Sequence, residues 1–196
     1  MAIEEQQVET ALEAPDQPLE ELPVLTVRDT VIFPGAMLPI TVGRPVSVAL
    51  VQSLGENRTV AVVSQLDPRV DAPKPEDLYE VGTVCVMHKA IRVPKENLLL
   101  FCEGIARIRT RDYTAREPFL KARVERIPEI EPEATPEVEA LRQNVLGLFQ
   151  QIVAASPNLS DDLTGAAAQI SEAGRLADWV AGNLPSLSPA DRQRLL

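Results

Sequence analysis

Three features of this 196-residue sequence predict an α+β protein whose first part is mostly β and whose last part is all helical. Between residues 22 and 127, short runs dense in β-branched residues alternate with Pro, Gly and Asn turns. From Thr135 onward the apolar residues recur at helical spacing behind capping residues. Separating the two is IPEIEPEATPEVEA, a shift to Pro and Glu that reads as a linker. The expected organisation is an acidic disordered tail over 1–21, a β subdomain over 22–127, a linker over 128–135 and a helical subdomain over 136–196.

Each element has its own signal. The tail carries Glu4, Glu5, Glu9, Glu13, Asp16, Glu20 and Glu21 without a Lys or Arg, broken by Pro15 and Pro18. Val24, Leu25 and Val27 favour a strand, Pro34-Gly35 is a turn dipeptide, and Ile40 to Val42 restart an extended segment that Gly43 can end. Pro45 opens a short helix over 45–54, with Val46, Ala49, Leu50 and Leu54 as its stripe and Gly55 at its stop. It is expected to lie across the sheet. TVAVVS at 59–64 reads as a buried strand, followed by a Pro-rich loop over 66–79 that is long enough to be mobile. Residues 81–93 and 98–102 form a hairpin about PKEN, and Gly104 suggests a bulge or bend. IARIRTRDY and FLKARVERI follow as half-exposed strands, the second with Leu120, Ala122, Val124 and Arg126 on one face. The β part is expected to close as a small curved sheet or open barrel with one helix.

The helical part starts at a Thr135 cap with Pro136 in the first turn, Glu137 and Glu139 at the positive end of the dipole, and a core stripe of Val138, Leu141, Val145, Leu148 and Ile152. Ser160 caps a second helix with Leu163, Ala167 and Ile170 inward. Ser171 caps a third containing Leu176, Trp179 and Val180, ended near Gly182 and Asn183. Ser188, Pro189 and Asp191 signal a fourth. Together these predict a C-terminal helical bundle. The last helix is short at Leu196, which predicts a fragment cut before another domain.

Composition narrows the functions. With 19 basic and 29 acidic residues the net charge is -10, and only 4% of residues are aromatic. Nucleic acid is therefore a disfavoured partner, lacking both an electrostatic grip and stacking platforms. No apolar run approaches the roughly 20 residues that cross a bilayer, so a cytoplasmic protein without a membrane partner is expected. Cys85 and Cys102 lie in apolar surroundings and read as buried, reduced thiols.

No phosphate loop, nucleophile elbow or HExxH occurs, so no catalytic residue, metal or cofactor is expected in this chain. His88, alone on a strand, reads as surface or structural. Arg107, Arg109, Arg111, Arg116, Lys121, Arg123 and Arg126 offer a patch for nucleic acid or an acidic segment, or a solvated face balanced by Asp112, Glu117 and Glu125. The solvated face is the better fit to an acidic chain. Phe33, Pro34, Met37 and Leu38 flank a turn where flexible apolar groups suit binding of unrelated peptides, while for any one of them taken singly core packing is the better reading. They are the candidate substrate contacts.

Several spaced motifs carry a resemblance. LPVLTVRD, VIFPG and LPITVGR open the β part; DPRVDAPKPEDLYEVGTV and ENLLLFCEGIARIRTRDY follow, the latter with Glu103, Gly104 and Arg107; EAGRLADWVAGNLP closes the series with Leu176, Ala177, Asp178 and Leu184. In this order they resemble the N-terminal domain of Lon, the ATP-dependent serine protease, over residues 22–196. The resemblance implies a PUA-like β subdomain, then a helical bundle, joined in the whole enzyme to an AAA+ ATPase and a Ser-Lys peptidase that this chain lacks. It implies engagement of unfolded or damaged proteins and support of a homohexamer, with ATP and Mg used elsewhere in the full-length enzyme. Gly174 departs from the family pattern and weakens the first turn of its helix. A free-standing Lon-domain interaction protein and a PUA-like RNA-binding module are the alternatives.

Overall fold

β-branched runs and capped apolar helices settle into one curved mixed sheet followed by helices. The computed structural model describes residues 19–55, 58–94 and 97–196. In chain order these form β1 (Glu20–Val27), β2 (Met37–Val42), α1 (Pro45–Ser53), β3 (Thr59–Ser64), β4 (Val81–Val93), β5 (Asn97–Ala115), β6 (Lys121–Arg126), α2 (Pro136–Ala155), α3 (Asp162–Ala168), α4 (Ala173–Asn183) and α5 (Pro189–Leu195). The expected tail lies outside the described residues except at its end, where Glu20 and Glu21 already pair with Val124 and Arg123 of β6. Among the described residues, no helix is long and apolar enough to cross a membrane.

The strand order is β2-β5-β4-β3-β1-β6, and β6 pairs again with β5. The 19-residue β5 makes this possible by holding β2 along residues 98–103 and β6 along 108–115. One half of the sheet is thereby a closed ring. On the other half β2 and β1 face each other unpaired. The curvature comes from bulges: Val84 opposes Ala106 and Cys85 opposes Gly104, so Ile105 is an extra residue, and His88 is another. The bend expected at Gly104 is such a bulge.

Inside the curve, Leu25, Val27, Ile40, Val42, Val62 and Leu100 pack with Cys85 and Cys102, while α1 plugs one end. The helix turns a different face inward from the one its apolar spacing suggested. Ser47, Leu50 and Val51 are buried and Val46 is exposed. Leu22, Val24, Ala61, Val63, Ile108 and Val124 make a second apolar layer on the opposite face. The loop over 66–79 is pinned rather than loose: Leu66 N donates to Asp77 O, Tyr79 N to Ser64 O, and Gln65 Nε2 to both Asp67 O and Val70 O.

In the helical part, Thr135 caps α2 by accepting from Val138 N at 3.3 Å. The inward stripe, however, is Phe149 and Val153 with Leu146 beside them, not the expected Leu141, Leu148 and Ile152. Ala167 of α3 and Leu176 of α4 complete that core. The N-terminus of α4 is not capped by Ser171. Glu131 of the linker reaches it instead, accepting from Ala173 N at 2.7 Å. Gly174 lies beside this contact, where a Cβ would stand 3.1 Å from Glu131 Oε2, a distance a small shift of that side chain would relieve.

Candidate functional site

Phe33, the Pro34-Gly35 turn, Gly104, Arg107 and Asp178 meet at the joint between sheet and helices. Pro34 and Gly35 form a tight turn, with Gly35 at φ 74° and Ala36 N donating to Phe33 O. Only glycine takes that φ without strain. The turn is stitched to β5: Gly35 N donates to Gly104 O and Gly104 N to Ala36 O. Gly104 must lack a side chain, because a Cβ would stand 2.3 Å from Phe33 O.

Phe33 is fully buried and packs with Val31 and Ala181 of α4. Beside it, Arg107 of β5 forms a largely buried ion pair with Asp178 of α4, donating both Nη1 and Nη2, while its Nε donates to Leu196 O. Gln193 of α5 adds a bond from Nε2 to Val81 O at 2.8 Å. Two motifs distant in sequence, EGIAR and LAD, thus meet as one clamp. A small cleft of about 260 Å³ remains between Pro34, Gly104, Arg175 and Asp178.

The candidate contacts separate by exposure. Phe33 is interior, Pro34 and Leu38 are half-buried, and Met37 is 56% exposed. A larger apolar surface lies on α2, where Leu141 and Leu148 are 64% and 59% exposed and Ile152 is exposed in line with them. Between Gln143 and Ala155 this helix has no charged residue. Sequence periodicity names these side chains but assigns them to the core.

Other candidates have structural partners. Arg107 turns into the joint, Arg111 lies on a bulge and pairs with Glu125, and Arg126 pairs with Glu20. The arginines therefore do not form one row. His88 Nε2 lies 2.6 Å from Glu103 Oε2 on the surface. Cys85 and Cys102 are free and buried, and burial pushes both thiols up, Cys102 to about 11. Such thiols are poor nucleophiles. Among the described residues, no group of His, Cys, Asp or Glu is arranged to hold a metal ion.

Residues 21–196 match the family model described as the ATP-dependent protease La (LON) substrate-binding domain. The chain is 51% identical over 175 residues to a Lon protease of Koribacter versatilis, covering 89% of this chain and 22% of that protein. It is 38% identical to a Lon protease of Dictyoglomus thermophilum over 178 residues, 90% of this chain and 22% of that one. The fold is that of the N terminal domain of Mycobacterium avium complex Lon protease, with a TM-score of 0.66 at 23% identity over 90% of this chain and 89% of that chain.

Proposed function

We propose, from the premise that this chain belongs to the Lon substrate-binding domain family, that it engages unfolded or damaged polypeptides for an ATP-dependent Lon protease. In the same reading it helps the subunits of that protease assemble as a homohexamer and contributes no catalytic residue. The sheet is taken as a PUA-like open barrel and the C-terminal helices as a bundle. The chain spans 22% of the length of the curated relatives it matches most closely among those above, so ATP hydrolysis and peptide cleavage are assigned to parts outside it.

The observation that carries this reading is the uncharged apolar face of α2. Leu141, Leu148 and Ile152 expose aliphatic surface along one helix, with half-buried Val145 between them. Exposed apolar patches mark interaction sites, and a face without charge discriminates little among sequences. Met37 supplies a second, smaller contact, supported by Pro34 and Leu38, with Phe33 holding the turn from beneath. Introducing charge on this face tests the assignment. Leu141→Lys with Leu148→Lys is expected to weaken binding of a reduced, carboxymethylated protein at least tenfold by fluorescence anisotropy, with far-UV circular dichroism unchanged. Unaltered affinity in that variant overturns the role of α2.

A further inference from the structure

Where the ring fails to close, a groove of about 1110 Å³ opens between β1 and β2. Both of its walls are strand edges without a partner. β2 pairs only with β5, and β1 pairs with β6 only over residues 20–23, after which Val24 N donates to Leu120 O. Pro39 marks β2 as an edge, since it has no N–H to give a neighbouring strand. Proteins normally cover or blunt such edges. Here the edges flank an apolar floor to which Val27, Ile40, Val42 and Leu50 contribute.

The rim has a charge of its own. Arg44, Lys74 and Arg116 line the groove, and none of them is in an ion pair among the described residues. Two carboxylates and one further cation also line it: Asp71 is held by Arg28 at 2.6 Å, and Asp29 accepts from Thr30 Oγ1, which leaves the basic side chains in excess. Arg44 is fixed by neutral acceptors, donating to Thr26 Oγ1 and Gln65 Oε1. Burial and the Arg28 charge together lower the Arg44 pKa, so an arriving carboxylate finds an under-compensated cation. On a chain of net charge -10 this is a local reversal of sign.

We propose that the groove accepts an extended polypeptide segment, apolar in its middle and acidic at its flanks, as a strand added between β1 and β2. This rests on the reading of the domain as a binder of unfolded chains, and it gives that substrate a backbone conformation and a charge. Main-chain bonds to the open edges supply affinity independent of sequence, and alternate side chains enter the apolar floor. At about 1110 Å³ the groove lies at the upper end of the roughly 300–1,000 Å³ usual for small-molecule sites, and its two strand-edge walls suit an extended chain.

The test uses this chain and a fluorescein-labelled peptide of alternating Val and Thr with Glu at both ends, followed by anisotropy. Lys74 and Arg116 are exposed and make no side-chain bond among the described residues, so Lys74→Glu with Arg116→Glu is expected to leave the far-UV circular dichroism unchanged. That variant is expected to bind the peptide at least tenfold more weakly. A backbone N-methylated copy of the peptide is expected to lose binding to the same degree. Equal affinity for Lys-ended and Glu-ended peptides, or indifference to N-methylation, overturns the proposal. If carboxymethylated protein binds through α2 and the peptide does not bind, the groove assignment alone falls; if neither binds, the substrate-binding role falls with it. Binding that appears only after removal of residues 1–18 makes the chain's own acidic segment the occupant. Self-association that charge reversal abolishes makes it a second copy. Either result overturns the proposal.

Discussion

β3 buries five of its six side chains, whereas α2, at 20 residues, buries Phe149 and Val153 alone. The sheet is secured by pairings between distant segments, β1 with β3 and β2 with β5, so no strand can leave without exposing its neighbours. The helical part has a small core of Phe149, Val153, Ala167 and Leu176, and it leans on the sheet through the Phe33 and Arg107 contacts. Rigidity is concentrated in one region, and adaptable apolar surface is carried by the other. The proposed function, binding of many different chains, is served by that separation.

The largest expected effect comes from uncoupling the two regions. Phe33→Ala removes the fully buried ring at the joint and is expected to cost about 3–5 kcal/mol. Trp179, the single tryptophan, reports the helical part, so its fluorescence should unfold at lower urea than the far-UV signal of the sheet. Coincident transitions in that variant would show that the two regions are one cooperative unit. Next, Asp178→Ala leaves Arg107 largely buried without its carboxylate and is expected to cost about 2–4 kcal/mol, reduced by the access water has to the pair. Joint replacement by Arg107→Met and Asp178→Leu should recover most of that loss in the same urea titration.

A pH titration sharpens the contrast from the sheet side. Both buried thiols have raised pKa values in the folded state, Cys102 at about 11. Unfolded thiols ionise first as pH rises, so their contribution is complete below pH about 8.5 and falls by about 1.4 kcal/mol per unit for each thiol above it, through the folded value. Urea midpoints at pH 8 and 10.5 should differ accordingly, and replacing both cysteines by Ala should flatten the dependence. The smallest effect is local to α2. Thr135→Ala removes its cap and should cost about 1 kcal/mol, seen as faster hydrogen exchange in the first turn with no change in β3.

Much of this architecture is legible in the sequence because the signals are local. β-branched runs mark β3 and β4, and Thr135 and Ser188 mark caps that the structure contains. What is not legible is which of two helical stripes faces inward. On α2, Leu141, Val145, Leu148 and Ile152 have core spacing, and so do Leu146, Phe149 and Val153, one step around the helix. The choice is made by α3 and α4, which pack on one side only. The same holds for Val46 against Ser47 on α1. The groove is not legible in the sequence because its cations come from separate segments, Arg44 after β2, Lys74 in a loop and Arg116 after β5, and no motif joins them.

The bond from Glu131 to Ala173 spans 42 positions and returns the chain to its own starting point. Residues 131–173 are therefore a noose carrying α2 and α3, with its knot on the first turn of α4. The entropy of closing such a loop rises only slowly with its length, so the knot constrains its ends far more than its middle. On the proposed reading, a polypeptide bound along α2 would load the body of the noose, and the Glu131–Ala173 contact would carry that load to the joint with the sheet.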